Sequence, residues 1–165
     1  MRARLEQVVD VAAPASVVWD YVTDWPRQSQ WVPMTRVERV DAADAVGGRI
    51  RAWTGLGPLG FWDPMTITRW DRTPDGGGHC EVLHRGRVVR GEGEFVVVAT
   101  GGNTSRFVWA EVIEVPLGRL GAIGWKVVSP VVGRVIGGAL RTMRDLVQSG
   151  GAHRWTGPGA ARRSG

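Results

Sequence analysis

Short glycine-rich links divide the chain between residues 35 and 115, and their spacing restricts the fold more than any other feature of the sequence. Links of this length hold no crossover helix, so the segments between them are expected to pair as antiparallel strands. The links fall at 47–48, 55–60, 76–78 and 101–103. The segments are rich in β-branched residues and are predicted to form six strands, at 35–41, 48–54, 65–72, 79–85, 87–99 and 105–115.

A strand and two short helices are predicted to precede this run. Segment 4–11 has the composition of a strand. Pro14 suits the first turn of a helix, and apolar residues share one face over 14–24. Segment 25–33 is predicted to form a second short helix or turn.

A long helix is predicted to follow the strands. Apolar residues recur at intervals of three and four from 117 to 148, and Ser129 with Pro130 suits the start of the main helix after a shorter turn. The whole order predicts an α+β fold, in which a strongly curved antiparallel sheet of about seven strands grips the long C-terminal helix.

Length and charge indicate one domain with a tail. The 165 residues suit a single domain, placed at 1–148. Residues 149–165 contain three arginines, no acidic residue and little apolar content, and are predicted to form a disordered basic tail. Part of the net charge of +5 lies in this tail, and no basic run in the body supports nucleic-acid binding.

Several classes of site and location are not expected. The single cysteine, Cys80, has no partner for an intramolecular disulfide and excludes a cysteine-based zinc site. No nucleotide-binding or metal-binding motif occurs, so no cofactor or metal is predicted. Charged residues interrupt the most apolar stretch, and the N-terminus lacks the apolar core of a secretory signal. A cytoplasmic protein without a transmembrane segment is the expectation.

Four sequence features resemble the START-like, or Bet v 1-like, superfamily, and within it the bacterial polyketide cyclase/dehydrase and lipid-transport group. They are VDVAAPASVVWDYVTD at 9–24 with WVP at 31–33, GEGEF at 91–95, FVWAE at 107–111 with Pro116 after it, and the long terminal helix. The similarity covers about 4–148. It implies a helix-grip architecture enclosing an apolar cavity, and only some members catalyse a reaction.

Side-chain alternation predicts which residues face this cavity. Along 105–115, Phe107, Trp109 and Glu111 share the bulkier face, which is placed toward the long helix. Along 87–99 the charged residues belong in water, so Phe95 and two glycines, Gly91 and Gly93, face inward. The two glycines either make room for a ligand or bend the strand, and these alternatives are compatible.

Glu111 is the most informative of these residues, because an inward carboxylate among aromatic residues needs a partner. Three roles remain open for it: an ion pair or hydrogen bond to an arginine or near Trp109, an anchor for a ligand head group, or a general base. His84 is predicted to face inward with Cys80 and Val82, although His79 is an equal alternative.

Three aromatic residues and one aliphatic residue complete the predicted ligand-binding set. Tyr21, on the apolar face of the first helix, either packs in the core or reaches the cavity mouth with its hydroxyl. Trp53 and Trp62 flank the glycine-rich segment 55–60, which is predicted to form a lid, and the alternative is that the two rings are core residues. Val135 is placed on the cavity side of the long helix.

The leading prediction is the binding, or transport, of a small hydrophobic molecule such as a lipid or an aromatic polyketide, in a cavity between the sheet and helix 130–148. The alternative is a polyketide cyclase, aromatase or dehydratase that uses Glu111, His84 or Tyr21 for acid–base chemistry. A third hypothesis is weak peripheral membrane contact through the basic residues of 119–144 and the tail. The protein is expected to be a monomer or a homodimer.

Overall fold

The computed structural model describes residues 2–41, 44–115 and 118–150, with the side chains of 118–122 excepted. It contains seven strands, two α-helices and one 3₁₀ helix. In chain order these are β1 (Arg2–Val11), α1 (Ala15–Val22), the 3₁₀ helix (Trp25–Gln30), β2 (Thr35–Arg39), β3 (Arg49–Leu56), β4 (Leu59–Arg72), β5 (Gly78–Arg85), β6 (Arg90–Gly101), β7 (Thr104–Glu114) and α2 (Gly118–Gln148).

All seven strands form one curved antiparallel sheet in the order β1-β7-β6-β5-β4-β3-β2. Strands β2 to β7 pair with their neighbours in the chain, as their short links predicted, and β1 returns to pair with β7. The predicted α+β helix-grip fold is confirmed.

The link at 55–60 differs from the predicted lid. Strand β3 continues to Leu56 and β4 begins at Leu59, so only Gly57 and Pro58 form the turn of a long hairpin. Gly55 pairs with Gly60, where a Cβ atom on either residue would overlap the opposite backbone. The glycines therefore allow close strand pairing at the hairpin tip, so the predicted lid is the paired end of two strands.

The core lies between the inner face of the sheet and a cover made of the two short helices and the C-terminal half of α2. Trp19 and Val22 of α1 are almost completely buried, as is Phe107 on β7. A cluster of aromatic rings fills the centre, with Phe95 5.2 Å from Phe107 and 5.3 Å from Trp109 between ring centroids. Trp31, which follows the 3₁₀ helix, packs edge-on against Trp109 at 5.6 Å.

Helix α2 is continuous from Gly118 to Gln148 and contains Pro130 in its interior, so the predicted helix start at Ser129 is wrong. Pro130 removes one main-chain donor, and its exposed position leaves the unpaired carbonyl of the preceding turn accessible to water. A proline at an exposed position can therefore interrupt the hydrogen bonding without ending the helix.

The two halves of α2 have different surroundings. The C-terminal half packs on the core through Leu140, Met143 and Val147, and the main-chain N–H of Ala12 donates to Gln148. In the N-terminal half Trp125 and Val132 are half-buried, and the other large apolar side chains that the structure describes are exposed. These are Ile123, Val127, Val128, Val131 and Val135.

The segment Ile123–Gln148 is long enough to span a membrane, and its mean hydropathy of 1.2 is at the minimum for such a span. Of the 18-residue window that meets this minimum, 22% is buried in the protein. A core helix meets the same criterion, so the absence of a transmembrane segment stays a prediction. The predicted tail begins at 149, and its residues 151–165 lie outside the described part of the chain.

Candidate functional site

The inner face of the sheet encloses a mostly apolar cavity of about 160 Å³. Its walls come from β2 to β7, and its cover comes from Trp25 and Gln28 of the 3₁₀ helix and from Val32 after it. Among the described residues, no side chain of α2 lines it, which corrects the predicted position between the sheet and helix 130–148. The reason is that α2 packs on the inner face of the edge strand β1, where Gly137 faces Gln7, whereas Trp25, Gln28 and Val32 lie over the strands that line the cavity.

Three ionisable side chains meet on one wall of this cavity. Asp63 Oδ2 lies 2.6 Å from His84 Nδ1, and His84 Nε2 lies 3.1 Å from Glu111 Oε2. The first contact is a hydrogen bond; in the second the N–H is not aligned for one, so it is an ion pair by distance. The side chains of Asp63, His84 and Glu111 are 8%, 9% and 14% exposed.

His84 is held as an imidazolium by its neighbours. Burial lowers the pKa of His84, but the hydrogen bond to Asp63 and the nearby Glu111 carboxylate outweigh burial and raise the pKa to about 10. At neutral pH the cavity wall therefore carries a protonated imidazole between two carboxylates.

Strand register brings these residues together. Along β5, His84 pairs with Met65 of β4, two positions from Asp63 on the same face. Gly93 of β6 lies directly between Val82 and Glu111 in the sheet. A Cβ atom on Gly93 would lie 3.0 Å from His84 Nε2 and 3.2 Å from Glu111 Oε1, so glycine leaves the space that the imidazole occupies.

Four of the predicted residues line the cavity: His84, Phe95, Trp109 and Glu111. Glu111 has the local partner that one of the alternatives expected, because Trp109 Nε1 donates to Glu111 Oε1 at 2.7 Å. Of the two histidines that were alternatives for the inward position, His84 faces the cavity. His79 lies on the outer face, 2.9 Å from Glu94 Oε1.

Two predicted residues are core residues that do not line the cavity. Phe107 is completely buried against Phe95 and Trp31. Tyr21 is 1% exposed, and its hydroxyl donates to Gln30 Oε1 at 3.1 Å. The hydroxyl is thus used within the protein, at the junction of α1 and the 3₁₀ helix.

The other four predicted residues do not line the cavity, which corrects the prediction. Trp53 and Trp62 pack together on the outer face of the hairpin, with ring centroids 5.4 Å apart, because Ala52, Thr54 and Asp63 take the inward positions of the alternation. Val135 is 42% exposed on α2.

Gly91, the fourth, has φ +142°, and a Cβ atom there would overlap the carbonyl of Val112. Its role is therefore in the backbone conformation of β6, whereas Gly93 makes room inside the cavity.

Asp63 is the functional candidate that the sequence analysis missed. The predicted fourth strand began at 65, whereas β4 begins at Leu59. Ile67 and Met65 face inward at alternate positions of β4. The next position in this alternation is Asp63, which therefore faces inward too. Pro64 and the glycine-rich segment before it hid this signal.

One group on the outer face has donor atoms close enough for a metal ion. Its ligand atoms, on His79, Glu81 and Glu94, lie within 4.8 Å of one another. Both carboxylates already pair with arginines, since Arg4 contacts Glu94 and Arg69 contacts Glu81. The group is accounted for by these outer-face ion pairs and lies on the opposite side of the sheet from the cavity.

A family model described as "Polyketide cyclase / dehydrase and lipid transport" matches residues 2–148. The chain belongs to this family. The match covers both the sheet and α2, and it agrees with the resemblance to the START-like superfamily. No curated protein matches the sequence.

Several solved structures have the same fold as this protein, although their sequences are only distantly similar to it. The Zhui aromatase/cyclase from a Streptomyces species is 18% identical, with a TM-score of 0.66 over 90% of this chain and 94% of that one. TTHA0849 from Thermus thermophilus is 17% identical, with a TM-score of 0.72 over 90% and 99%. A START superfamily protein from Mycobacterium smegmatis is 16% identical, with a TM-score of 0.61 over 88% and 94%.

Proposed function

We propose that the protein binds a small, mostly apolar molecule, about one aromatic ring in size, beside Asp63, His84 and Glu111. The cavity volume of about 160 Å³ carries this proposal. An apolar cavity of about 150 Å³ is large enough to take up benzene, so a single ring fits here without rearrangement. Pockets for larger ligands usually exceed about 300 Å³, so a lipid chain or a fused-ring polyketide would require the cavity to open.

The composition of the wall supports the same function. Side chains such as Met65, Val82 and Phe95 provide apolar and aromatic contact, while the polar cluster on one side can orient a ligand. The family description joins cyclases and dehydrases with lipid transport, which are functions that all require an apolar ligand.

Tryptophan fluorescence tests the proposal, because Trp25 and Trp109 line the cavity. We expect toluene and p-cresol to change the emission and to raise the Tm. The variant Ala52→Leu places extra volume in the cavity and should weaken binding at least about ten-fold, whereas Val98→Leu on the outer face should not. A folded Ala52→Leu protein with unchanged affinity for both rings would contradict the proposal.

A second candidate function is acid–base catalysis of the cyclase or dehydratase type, and the protonated His84 between two carboxylates favours it. The Zhui protein, which has the same fold, is an aromatase/cyclase. In a dehydration, His84 would donate a proton to the leaving hydroxyl and Glu111 would remove a proton from the adjacent carbon. Water would then leave and a C=C bond would form.

Turnover of a β-hydroxy ketone that carries one ring tests this candidate. We expect Glu111→Gln and His84→Gln to reduce kcat by at least about 100-fold, in the range usual for a lost acid or base. Glu92→Gln, on the outer face of β6, is the matched control. If the wild-type protein turns over the substrate and Glu111→Gln does so at the same rate, the assigned chemistry is wrong.

A further inference from the structure

The polar cluster gives the cavity a negative charge. Asp63 and Glu111 contribute two carboxylates and His84 one imidazolium, so the formal charge is −1. With a neutral His84 the formal charge of the cluster would be −2, so the charge is negative whether or not the imidazole is protonated. Among the residues described, no lysine or arginine lines the cavity. The Glu94 carboxylate, at the cavity's edge, is directed to Arg4 on the outer face.

Hydrogen-bond acceptors also outnumber donors in the cluster. Four carboxylate oxygens face three N–H groups, from Trp109 Nε1 and the two nitrogens of His84. Asp63 Oδ1 and His84 Nε2 are both buried without an aligned hydrogen-bond partner, so the cluster holds one unpaired acceptor and one unpaired donor. A ligand hydroxyl suits both, because it donates and accepts. An acceptor left without a donor in an apolar site is costly, so the cluster favours any molecule that supplies one.

Resting on the proposed function, we propose that the cavity selects ring compounds that carry a hydroxyl or amino donor, and that it rejects carboxylates. A phenol or a protonated amine supplies the missing donor, and the amine also offsets the formal charge of −1. An anionic head group brings a further negative charge next to Asp63 and Glu111, with no cation in the wall to pair with it. Fatty acids are therefore poor ligands here for a reason of charge as well as of size.

Four ligands of matched size test this selectivity at pH 7: p-cresol as a neutral donor, benzylamine as a cation, toluene as a ring without a donor, and benzoate as an anion. Dissociation constants come from fluorescence titration checked by calorimetry. We expect p-cresol and benzylamine to bind at least about ten-fold more tightly than benzoate. The affinity for toluene should be lower than for p-cresol and benzylamine and higher than for benzoate.

Removal of one charge shows whether the cluster causes this order. Glu111→Gln and Asp63→Asn are made as separate variants, and each brings the formal charge of the cluster to zero. In each, the affinity for benzoate should rise at least about five-fold relative to the affinity for benzylamine. Glu92→Gln removes the same charge from the outer face, where Glu92 pairs with Arg2, and should leave the order unchanged. Circular dichroism identifies variants that remain folded, and the two cluster variants are independent of each other.

The outcomes separate this inference from the proposed function. If no ring binds to the wild-type protein, the proposed function is wrong and the selectivity falls with it. If rings bind but benzoate binds as tightly as p-cresol, the function stands and the selectivity is wrong. The selectivity is also wrong if the folded cluster variants keep the wild-type order, or if Glu92→Gln alters it as much as they do.

Discussion

Single residues decide the chemistry of the cavity wall, and His84 and Gly93 show how. His84 is a charged side chain in an apolar setting, and the neighbouring carboxylates of Asp63 and Glu111 keep it charged there. Gly93 is beside its Nε2 atom, where any larger residue would compete for the same space. The arrangement therefore depends on one small residue as much as on the three ionisable ones.

The raised pKa of His84 predicts that stability falls as pH rises. Since the pKa is about 10 in the folded protein and 6.5 ordinarily, the folded state holds a proton that the unfolded state has lost between these values. The stabilising contribution is complete below about pH 6.5 and decreases by about 1.4 kcal/mol per pH unit above it. Urea denaturation at pH 6.5, 7.5 and 8.5 measures the slope.

The comparison with variants assigns this slope to one group. The difference in unfolding free energy between wild type and His84→Gln should shrink with rising pH across this range. Val98→Leu, on the outer face of the sheet, changes no ionisable group and should keep the wild-type slope. Parallel pH profiles for wild type and His84→Gln would show that His84 does not hold the extra proton.

Gly93→Ala is predicted to disturb the cluster directly. The new Cβ atom would lie 3.0 Å from both His84 Nε2 and Val82 Cγ2, so side chains must move, at a cost of about 1–3 kcal/mol. We expect ligand affinity to fall at least about ten-fold. Gly102→Ala is the control, because a Cβ atom there meets nothing within 4 Å. Equal Tm values for the two variants would contradict the steric argument.

Elements act through their faces, and the two halves of α2 illustrate this. The C-terminal half buries its apolar face on the core, whereas Ile123, Val127 and Val131 are 64%, 72% and 58% exposed along one side of the N-terminal half. The sequence from 115 to 144 contains no acidic residue, and Lys126 and Arg134 adjoin this apolar side. An exposed apolar stripe next to cations matches the chemistry of an anionic lipid surface.

Weak peripheral membrane contact is accordingly predicted for this half of α2. We expect co-sedimentation with vesicles of phosphatidylcholine and phosphatidylglycerol, and much less with phosphatidylcholine alone. The double variant Val127→Gln/Val131→Gln should reduce it, and Val98→Gln on the sheet should not. If the fraction of protein that sediments is the same with and without phosphatidylglycerol, the prediction is wrong. A homodimer that the double variant dissociates would instead assign this face to a second copy.

At the scale of the whole molecule, the fold is closed by contacts between distant parts of the chain. Strand β1 pairs with β7, and the end of α2 covers the core with Met143 and Val147. The bond from Ala12 to Gln148 joins the start of the chain to the end of the helix. The domain boundary at 148 stays a prediction that this closure supports.

Truncation tests the boundary. A chain ending at Gly150 should keep the wild-type Tm, because the core contacts of α2 are complete by Gln148. A chain ending at Arg141 loses Met143 and Val147 and should be destabilised by about 2–5 kcal/mol or fail to fold. Urea unfolding compares the three chains. If the chain that ends at Gly150 is much less stable than the full chain, part of the domain lies beyond residue 150.

Local patterns in the sequence determined the sheet: alternation fixed the inward positions of Phe95, Trp109 and Glu111, and short links fixed antiparallel neighbours. Such patterns depend on adjacent residues, so they can be interpreted without a fold. Only the tertiary structure decided that the 3₁₀ helix covers the cavity, that Asp63 meets His84, and that half of α2 is left uncovered. These features depend on how elements far apart in the chain pack, and no local periodicity encodes which surfaces will meet.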